Sequence, residues 1–299
     1  MKLGFIGTGT MGNPMSRCLI DGGHQLTVHD LRREATTNLC EMGATWADNP
    51  RAVAEASEIV FTSLPGPVEM EQVVQDPSTG ILSGLRSGQA YVDTTTNSPT
   101  VIRRVAEACR AQGIEMLDAP VSGRPPNMTI MVGGDRATFD KHLPVLECMG
   151  RDIFYVGGTG TACIAKLTTQ YMGYCNVITA LEGMLIAAKA GIDLKVLAEI
   201  VPVSAGASRG FSRLPDAVFN RDFGSNGTLD IIAKDLHLAC ELARDVGAPA
   251  HMGLIAEDLF QRAQAQGWGR WDFPAVVQVL EQMAGAELRA PAISGDGSA

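Results

Sequence analysis

Three glycines near the start of the sequence have the spacing of a phosphate-binding loop. Gly7, Gly9 and Gly12 fit the pattern G-x-G-x-x-G, with a short apolar segment before them and an amphipathic one after them. This strand–loop–helix context distinguishes a dinucleotide-binding loop from a glycine-rich turn without a ligand. The first glycine permits a tight turn, the second lets the backbone approach a pyrophosphate, and the third allows close packing of helix on strand. Backbone N–H groups at the helix start would face the phosphates. The predicted cofactor-binding residues of the loop are Gly7, Thr8, Gly9, Thr10, Met11 and Gly12.

Asp30 ends the second apolar segment and can decide which dinucleotide binds. A carboxylate at this point accepts hydrogen bonds from the adenosine ribose and repels a 2′-phosphate, which favours NAD over NADP. Arg32 and Arg33 follow directly. An arginine here can hold a 2′-phosphate, or both side chains can simply be solvated. The sequence therefore predicts NAD, with NADP as the alternative.

The elements that must position these residues alternate along the first half of the chain. Apolar strands separated by helical segments predict a mostly parallel sheet with helices on both faces, a Rossmann-type doubly wound α/β fold. The predicted strands are Leu3–Ile6, Gln25–His29, Ile59–Ser63, Ala90–Asp93, Glu115–Asp118, Thr129–Val132 and Asp152–Val156. The helical segments include Met11–Asp21, Pro50–Ala56 and Thr100–Gln112.

The strand pattern ends after residues 157–160. A proline-free helical run over 161–190 follows, with Gly191 as its stop signal. Further helices are predicted at Leu194–Ile200, Asp230–Val246, Met252–Gln266 and Phe273–Gly285. We therefore predict a dinucleotide-binding domain at 1–160 and an all-helical second domain at 161–289. The latter would begin with a long inter-domain helix and serve substrate binding and dimerisation, and 290–299 would form a disordered tail.

Composition and charge narrow the classes of function. A net charge of −9 disfavours a nucleic-acid partner, because phosphate binding needs a cationic surface. No apolar stretch approaches the length of a membrane span, and the first residues predict a strand rather than an export signal. The seven cysteines are scattered without a C-x-x-C pair, which favours reduced thiols, a cytoplasmic location and no metal framework.

Six segments follow one another in a recurring order: 4–15 (GFIGTGTMGNPM), 63–65 (SLP), 93–99 (DTTTNSP), 118–123 (DAPVSG), 158–160 with Lys166, and 234–236 (KDL). In this order they resemble the β-hydroxyacid dehydrogenase family, which includes 3-hydroxyisobutyrate dehydrogenase and tartronate semialdehyde reductase. One such segment is a weak match, whereas six in order are a strong one. The resemblance implies that the chain oxidises a small β-hydroxyacid to a semialdehyde, or carries out the reverse reduction.

The same resemblance implies that Lys166 is the general acid/base. A lysine becomes an effective base when burial or a nearby positive charge lowers its pKa, and a protonated lysine serves as the acid in the reductive direction. Its neighbours Ile164, Ala165 and Leu167 are apolar. The alternative is an ordinary surface lysine on a long helix.

The remaining site residues also come from the matched segments. Ser122 and Gly123 would present a hydroxyl and backbone N–H groups to a substrate carboxylate, unless they form only a turn. Lys234 would contact the cofactor, or would instead pair with Asp235. The other cofactor contacts implied by the resemblance are Leu64, Pro65 and Thr96.

Two departures from the family pattern concern the substrate. The loop after Gly123 is shortened and contains Arg124, which could bind a second carboxylate bidentately or point to solvent. Gln170 stands where the family usually has asparagine, so its amide head lies one methylene further out. Both predict a pocket reshaped for another substrate. Arg209 lies before a predicted break at Pro215 and is more easily explained as a surface residue than as a substrate contact.

The leading hypothesis is thus an NAD-dependent oxidoreductase acting on a small carboxylate-bearing substrate. The alternatives are an NADPH-dependent semialdehyde reductase and a non-catalytic dinucleotide-binding protein. A homo-oligomer, dimer or tetramer, is expected, with no nucleic-acid or membrane partner and no metal.

Overall fold

The computed structural model describes residues 1–224 and 227–289. It divides into two compact units, an N-terminal unit of Met1–Lys166 and a C-terminal unit that begins at Leu167. The predicted tail, 290–299, lies outside the described residues. None of the described helices combines the length and the apolar character that a membrane span requires.

The N-terminal unit is built on a nine-stranded sheet. Its strands are β1 (Lys2–Ile6), β2 (Gln25–His29), β3 (Thr45–Trp46), β4 (Ile59–Thr62), β5 (Ala90–Asp93), β6 (Glu115–Asp118), β7 (Val121–Ser122), β8 (Thr129–Gly134) and β9 (Asp152–Gly157). The spatial order is β3-β2-β1-β4-β5-β6-β8-β7, and β9 also pairs with β8. The six strands β3-β2-β1-β4-β5-β6 are all parallel to their neighbours, whereas β8 runs antiparallel to β6 and β7. The order reverses between β1 and β4, the point where open α/β sheets bind their ligands.

Helices flank the strands of this unit. They are α1 (Gly12–Asp21), α2 (Thr37–Glu41), α3 (Pro50–Glu55), α4 (Pro67–Gln75), α5 (Pro99–Ala111) and α6 (Arg136–Leu146). Every residue of β4 and β5 is buried, as expected for parallel strands covered on both faces. The Phe5 and Phe61 rings stack with centroids 6.0 Å apart, within one of two apolar clusters in this unit.

The long helix α7 (Thr161–Lys189) continues from the N-terminal unit into the C-terminal one. It is followed by α8 (Leu194–Ile200), α9 (Leu214–Asn220), α10 (Leu229–Asp245), α11 (His251–Ala265) and α12 (Val277–Ala284). Their apolar faces meet around Leu181, Phe260 and Val276, which are fully buried. This core is the main stabilising feature of the C-terminal unit, because burial of such side chains dominates folding energetics.

The predicted fold class is confirmed: a mostly parallel, Rossmann-type sheet is followed by helices. Three expectations were incomplete or wrong. The two-residue strands β3 and β7 and helices α2, α4, α6 and α9 had not been predicted. Pro215 does not break the chain but occupies the first turn of α9, where its missing N–H costs nothing. The predicted helix Phe273–Gly285 is a 3₁₀ turn, Phe273–Val276, followed by α12.

Candidate active site

The glycine loop after β1 lies at the reversal point of the sheet. Gly7 has a φ of 86°, a left-handed conformation that disfavours side chains. A Cβ at position 12 would overlap the Gly7 carbonyl oxygen, so α1 and the loop can pack this closely only because residue 12 is glycine. A Cβ at Gly9, in contrast, would meet no atom within 4 Å. Protein packing does not explain a glycine there, whereas the close approach of a pyrophosphate does. The loop therefore fits a dinucleotide.

The N-terminus of α1 can bind an anion. Over residues 1–224 and 227–289, no side chain caps this helix N-terminus, so its first N–H groups can face a phosphate. Asn13 in the first turn donates to the Ala35 carbonyl at 3.0 Å and exchanges amide hydrogen bonds with Asn38 at 2.8 and 3.0 Å. These bonds connect α1 to the segment that follows β2.

Asp30 is connected to the glycine loop. Its Oδ2 accepts a hydrogen bond from the Thr8 backbone N–H at 2.8 Å, and its Oδ1 accepts one from the Arg32 N–H at 2.9 Å. A carboxylate has about four acceptor positions, so acceptors remain for ribose hydroxyls. The Arg33 guanidinium lies 5.4 Å from the centroid of the Trp46 ring. The side chains of Arg32 and Arg33 are exposed.

The loops after β4 and β5 are joined by side chains. The Leu64 N–H donates to the Thr95 hydroxyl at 3.1 Å. The fully buried Asp93 carboxylate accepts from the Thr62 hydroxyl at 2.7 Å, the Thr95 N–H at 3.1 Å and the Asn97 amide at 3.0 Å. Burial raises the pKa of Asp93, although these donors oppose the shift. This network positions the segments that contain Leu64, Pro65 and Thr96.

Asp118, at the end of β6, holds the start of α7. Its Oδ1 accepts from the Gly160 N–H at 2.8 Å and its Oδ2 from the Cys163 N–H at 3.1 Å. Desolvation raises the pKa of this buried carboxyl, while the two backbone donors lower it. A carboxylate at a helix N-terminus also interacts favourably with the helix dipole. Lys166 follows Cys163 by three residues and is only 6% exposed. A buried lysine therefore lies about one helical turn after the residue that Asp118 binds.

The predicted carboxylate-binding segment lies beside β8. Ser122 belongs to β7 and pairs with Thr129, and Gly123 follows it in an exposed bend. Arg124 is exposed. Ser122 thus lies in a short paired strand, and the role of Ser122 and Gly123 toward a substrate stays a prediction.

A second polar cluster lies within the C-terminal unit. The Gln170 amide nitrogen donates to the Tyr174 hydroxyl and to Asp235 Oδ2, each at 2.7 Å. Lys234 Nζ lies 2.7 Å from Asp235 Oδ1. Burial and then the Asp235 charge raise the pKa of Tyr174. Asp235 is 2% exposed. Sequence reasoning had named Asp235 only as the alternative partner of Lys234 and had not selected Tyr174, although Asp235 is the central residue of the KDL segment.

Ser208, which lies before α9, has a structural role. The Ser208 hydroxyl accepts from the Phe211 N–H at 3.1 Å, and Arg209 beside it is exposed. Across the described part of the chain, no group of three or more histidine, cysteine, aspartate or glutamate side chains could hold a metal ion.

Two family models match consecutive parts of the chain. The NAD binding domain of 6-phosphogluconate dehydrogenase matches residues 2–157. The domain described as NAD-binding of NADP-dependent 3-hydroxyisobutyrate dehydrogenase matches residues 158–280.

Curated relatives and solved structures cover nearly the whole chain. The 2-(hydroxymethyl)glutarate dehydrogenase of Eubacterium barkeri is 34% identical, over 96% of this chain and 97% of its own. The 2-hydroxy-3-oxopropionate reductase of Escherichia coli is 33% identical, over 96% and 100%. The crystal structure of a 3-hydroxyisobutyrate dehydrogenase from Salmonella typhimurium superposes with a TM-score of 0.85 at 29% identity, covering 93% of this chain and 99% of that one.

The fold, the glycine loop and these matches define an NAD(P)-dependent dehydrogenase or reductase that acts on a hydroxyl-bearing carbon. The chain belongs to the β-hydroxyacid dehydrogenase family, as its motif order predicts.

Proposed function

We propose that the protein transfers a hydride between NAD and a small β-hydroxyacid or its semialdehyde, with Lys166 as the general acid/base. The observation that carries this proposal is the anchored, buried lysine: Asp118 fixes the first turn of α7, and Lys166 follows it at 6% exposure. The relatives named as dehydrogenases and reductases of small hydroxy- and oxo-acids support the substrate class.

The bound nicotinamide supplies the acceptor for a hydride, which carries two electrons from the carbon of the substrate hydroxyl. The proton of that hydroxyl passes to the Lys166 amine as the carbonyl forms, and in the reductive direction Lys166 returns it. Ser122 and Gly123 would hold the substrate carboxylate, and Arg124 would add a guanidinium for a second carboxylate.

The test of Lys166 is turnover of a panel of small 3-hydroxyacids, measured by NADH absorbance. We expect Lys166→Ala to lose at least two orders of magnitude in kcat, the usual contribution of general acid–base catalysis being about 10²–10⁴-fold. Its affinity for NAD should be retained. Lys195→Ala, at an exposed lysine of α8, is the matched control. Wild-type turnover in Lys166→Ala would remove this residue from the mechanism.

We also propose a preference for NAD. Asp30 supports it, because a carboxylate fixed against the glycine loop repels a 2′-phosphate. The residues near the cofactor would be those of the glycine loop with Leu64, Pro65, Thr96 and Lys234. The NADPH-dependent reductase is the alternative, supported by the NADP-dependent description of the second family model. A kcat/KM for NADPH above that for NADH would exclude the role of Asp30.

The organisation of the protein is proposed as a dinucleotide-binding domain at 1–160 and a helical substrate domain at 161–289, associating as a homodimer. Exposed apolar side chains of the C-terminal unit, among them Ile186 at 70% and Val203 at 88% exposure, support an association surface. The seven free thiols support a cytoplasmic location. Light scattering tests the oligomeric state.

A further inference from the structure

The short strand β3 contains a tryptophan that is held by several contacts. Trp46 pairs with Val28 of β2 in the parallel sheet, and its indole N–H donates to Asp48 Oδ1 at 3.0 Å. Its ring centroid lies 5.3 Å from that of His29. The His29 ring is itself fixed, since its Nδ1 lies 2.9 Å from the Ala47 carbonyl oxygen in a buried hydrogen bond. Trp46 is therefore a half-buried ring with a defined position beside the end of β2.

The guanidinium of Arg33 lies over this ring. Its Cζ is 5.4 Å from the Trp46 centroid, a distance at which a cation is attracted to the face of an indole. Arg33 begins a 3₁₀ turn, in which the Thr36 hydroxyl donates to the Arg33 carbonyl at 2.8 Å. Within residues 1–224 and 227–289, no carboxylate forms an ion pair with this guanidinium. The contact with Trp46 is thus what holds the charged end of the side chain.

The position of Arg33 matters because Asp30 marks the place of the adenosine ribose. Asp30 accepts from the Thr8 N–H of the glycine loop at 2.8 Å, and a carboxylate at the end of the second strand binds the ribose hydroxyls of NAD. An arginine near this point can instead bind the 2′-phosphate of NADP, with two parallel hydrogen bonds. Arg33 follows Asp30 by three residues, yet its guanidinium contacts Trp46 and forms no ion pair with Asp30.

We infer that Trp46 is a specificity-determining residue, which keeps the Arg33 guanidinium over its ring and thereby away from a 2′-phosphate. Trp46 acts through Arg33 and is in this sense a positioning residue. The inference rests on the proposed preference for NAD and adds a second source of it besides the charge of Asp30. Binding of NADPH through Arg33 would first have to break the contact with the ring. Trp46 therefore disfavours NADPH by the strength of one exposed cation–π contact, which is about two- to fivefold in affinity.

The experiment measures the Kd of NADH and of NADPH by following the fluorescence of the reduced nicotinamide, so that it does not depend on turnover. Trp46→Val removes the ring and introduces a residue that favours a strand. In this variant the ratio of the Kd for NADPH to the Kd for NADH should fall about two- to fivefold. Trp46→Phe retains an aromatic face, so its ratio should stay within about twofold of wild type. A loss of stability alone would weaken the binding of both dinucleotides and leave the ratio unchanged.

Arg33→Ala shows whether the ring acts through the cation. The ratio in this variant should stay close to that of wild type, because the guanidinium it removes is held on Trp46. Adding Trp46→Val to Arg33→Ala should then have no further effect on the ratio. Arg136→Ala is the matched control, since it removes an exposed arginine whose Cζ lies 5.5 Å from the centroid of the Phe139 ring, and it should change neither affinity.

Two results would overturn the inference alone. One is a wild-type ratio in Trp46→Val, and the other is an equal fall of the ratio with and without Arg33. Tighter binding of NADPH than of NADH by the wild-type protein would overturn the proposed preference for NAD, and this inference with it.

Discussion

Asp118 offers a direct test of how α7 is held in place. In Asp118→Asn one amide oxygen still accepts from one backbone N–H, but the new NH₂ group faces the other. The Gly160 and Cys163 N–H groups lie 2.8 and 3.1 Å from the two carboxylate oxygens. A buried donor that loses its acceptor costs about 1–3 kcal/mol. Relief of the desolvated charge, which raises the pKa of Asp118, offsets part of this loss. We expect a net destabilisation of about 2 kcal/mol.

Thermal unfolding followed by circular dichroism measures this effect. For a unit of this size, about 2 kcal/mol corresponds to a fall in Tm of roughly 4–8 °C. Because Lys166 follows the anchored turn, kcat should fall as well, while NAD affinity should stay close to that of wild type. Asp140→Asn, at an exposed carboxylate paired with Arg136, is the control and should change neither quantity. If Asp118→Asn keeps both the Tm and the kcat of wild type, Asp118 does not position α7.

Three further predictions concern pH and the glycine loop. Burial raises the pKa of Asp118 in the folded state, so as pH rises Asp118 loses its proton in the unfolded chain before it does so in the folded one. The stability that Asp118 contributes is therefore lost as pH rises from about 4, its unfolded-state pKa, through its folded-state pKa. The destabilisation caused by Asp118→Asn in urea unfolding should therefore shrink as pH rises, and growth of the difference would contradict the raised pKa. Gly9→Ala should leave Tm unchanged and weaken NAD binding by more than tenfold in a fluorescence titration, because its Cβ meets no protein atom. Gly12→Ala should lower Tm, since its Cβ would overlap the Gly7 carbonyl. The loop assignment fails if Gly9→Ala binds NAD as tightly as wild type.

Much of the sheet could be predicted because its strands are short apolar segments buried on both faces. The bounds of β2, β5 and β6 agree with those predicted from sequence. Strands β3 and β7 could not be found, because two residues are too few to establish a period. The start of α6 did have a signal: Asp135 caps it by accepting from the Thr138 N–H.

The glycine loop was predictable because its chemistry requires only glycine, spacing and a flanking strand. The contacts of Asp118 and Asp235, which organise other parts of the site, were not. Asp118 and Gly160 are 42 positions apart, and Gln170 and Asp235 are 65 apart. A carboxyl at the end of a strand gives no local sign that it is buried, because its partners come from distant segments. The glutamine at position 170, in place of the family's asparagine, was visible in the sequence. That its amide N–H groups donate to Asp235 and Tyr174 could be found only from the structure of the folded unit.

The reciprocal amide pair between Asn13 and Asn38 has a consequence for how the family can diverge. Each side chain supplies the donor that the other accepts. A change at position 13 therefore leaves both amide atoms of Asn38 without this partner, whereas a change at position 38 leaves the Asn13 oxygen without its donor and the Asn13 nitrogen with the Ala35 carbonyl alone. Inherited substitutions at these positions should therefore occur together, or be preceded by a neutral step that lets solvent reach the pair. Positions 13 and 38 should therefore vary together in evolution, although 25 positions separate them in the sequence.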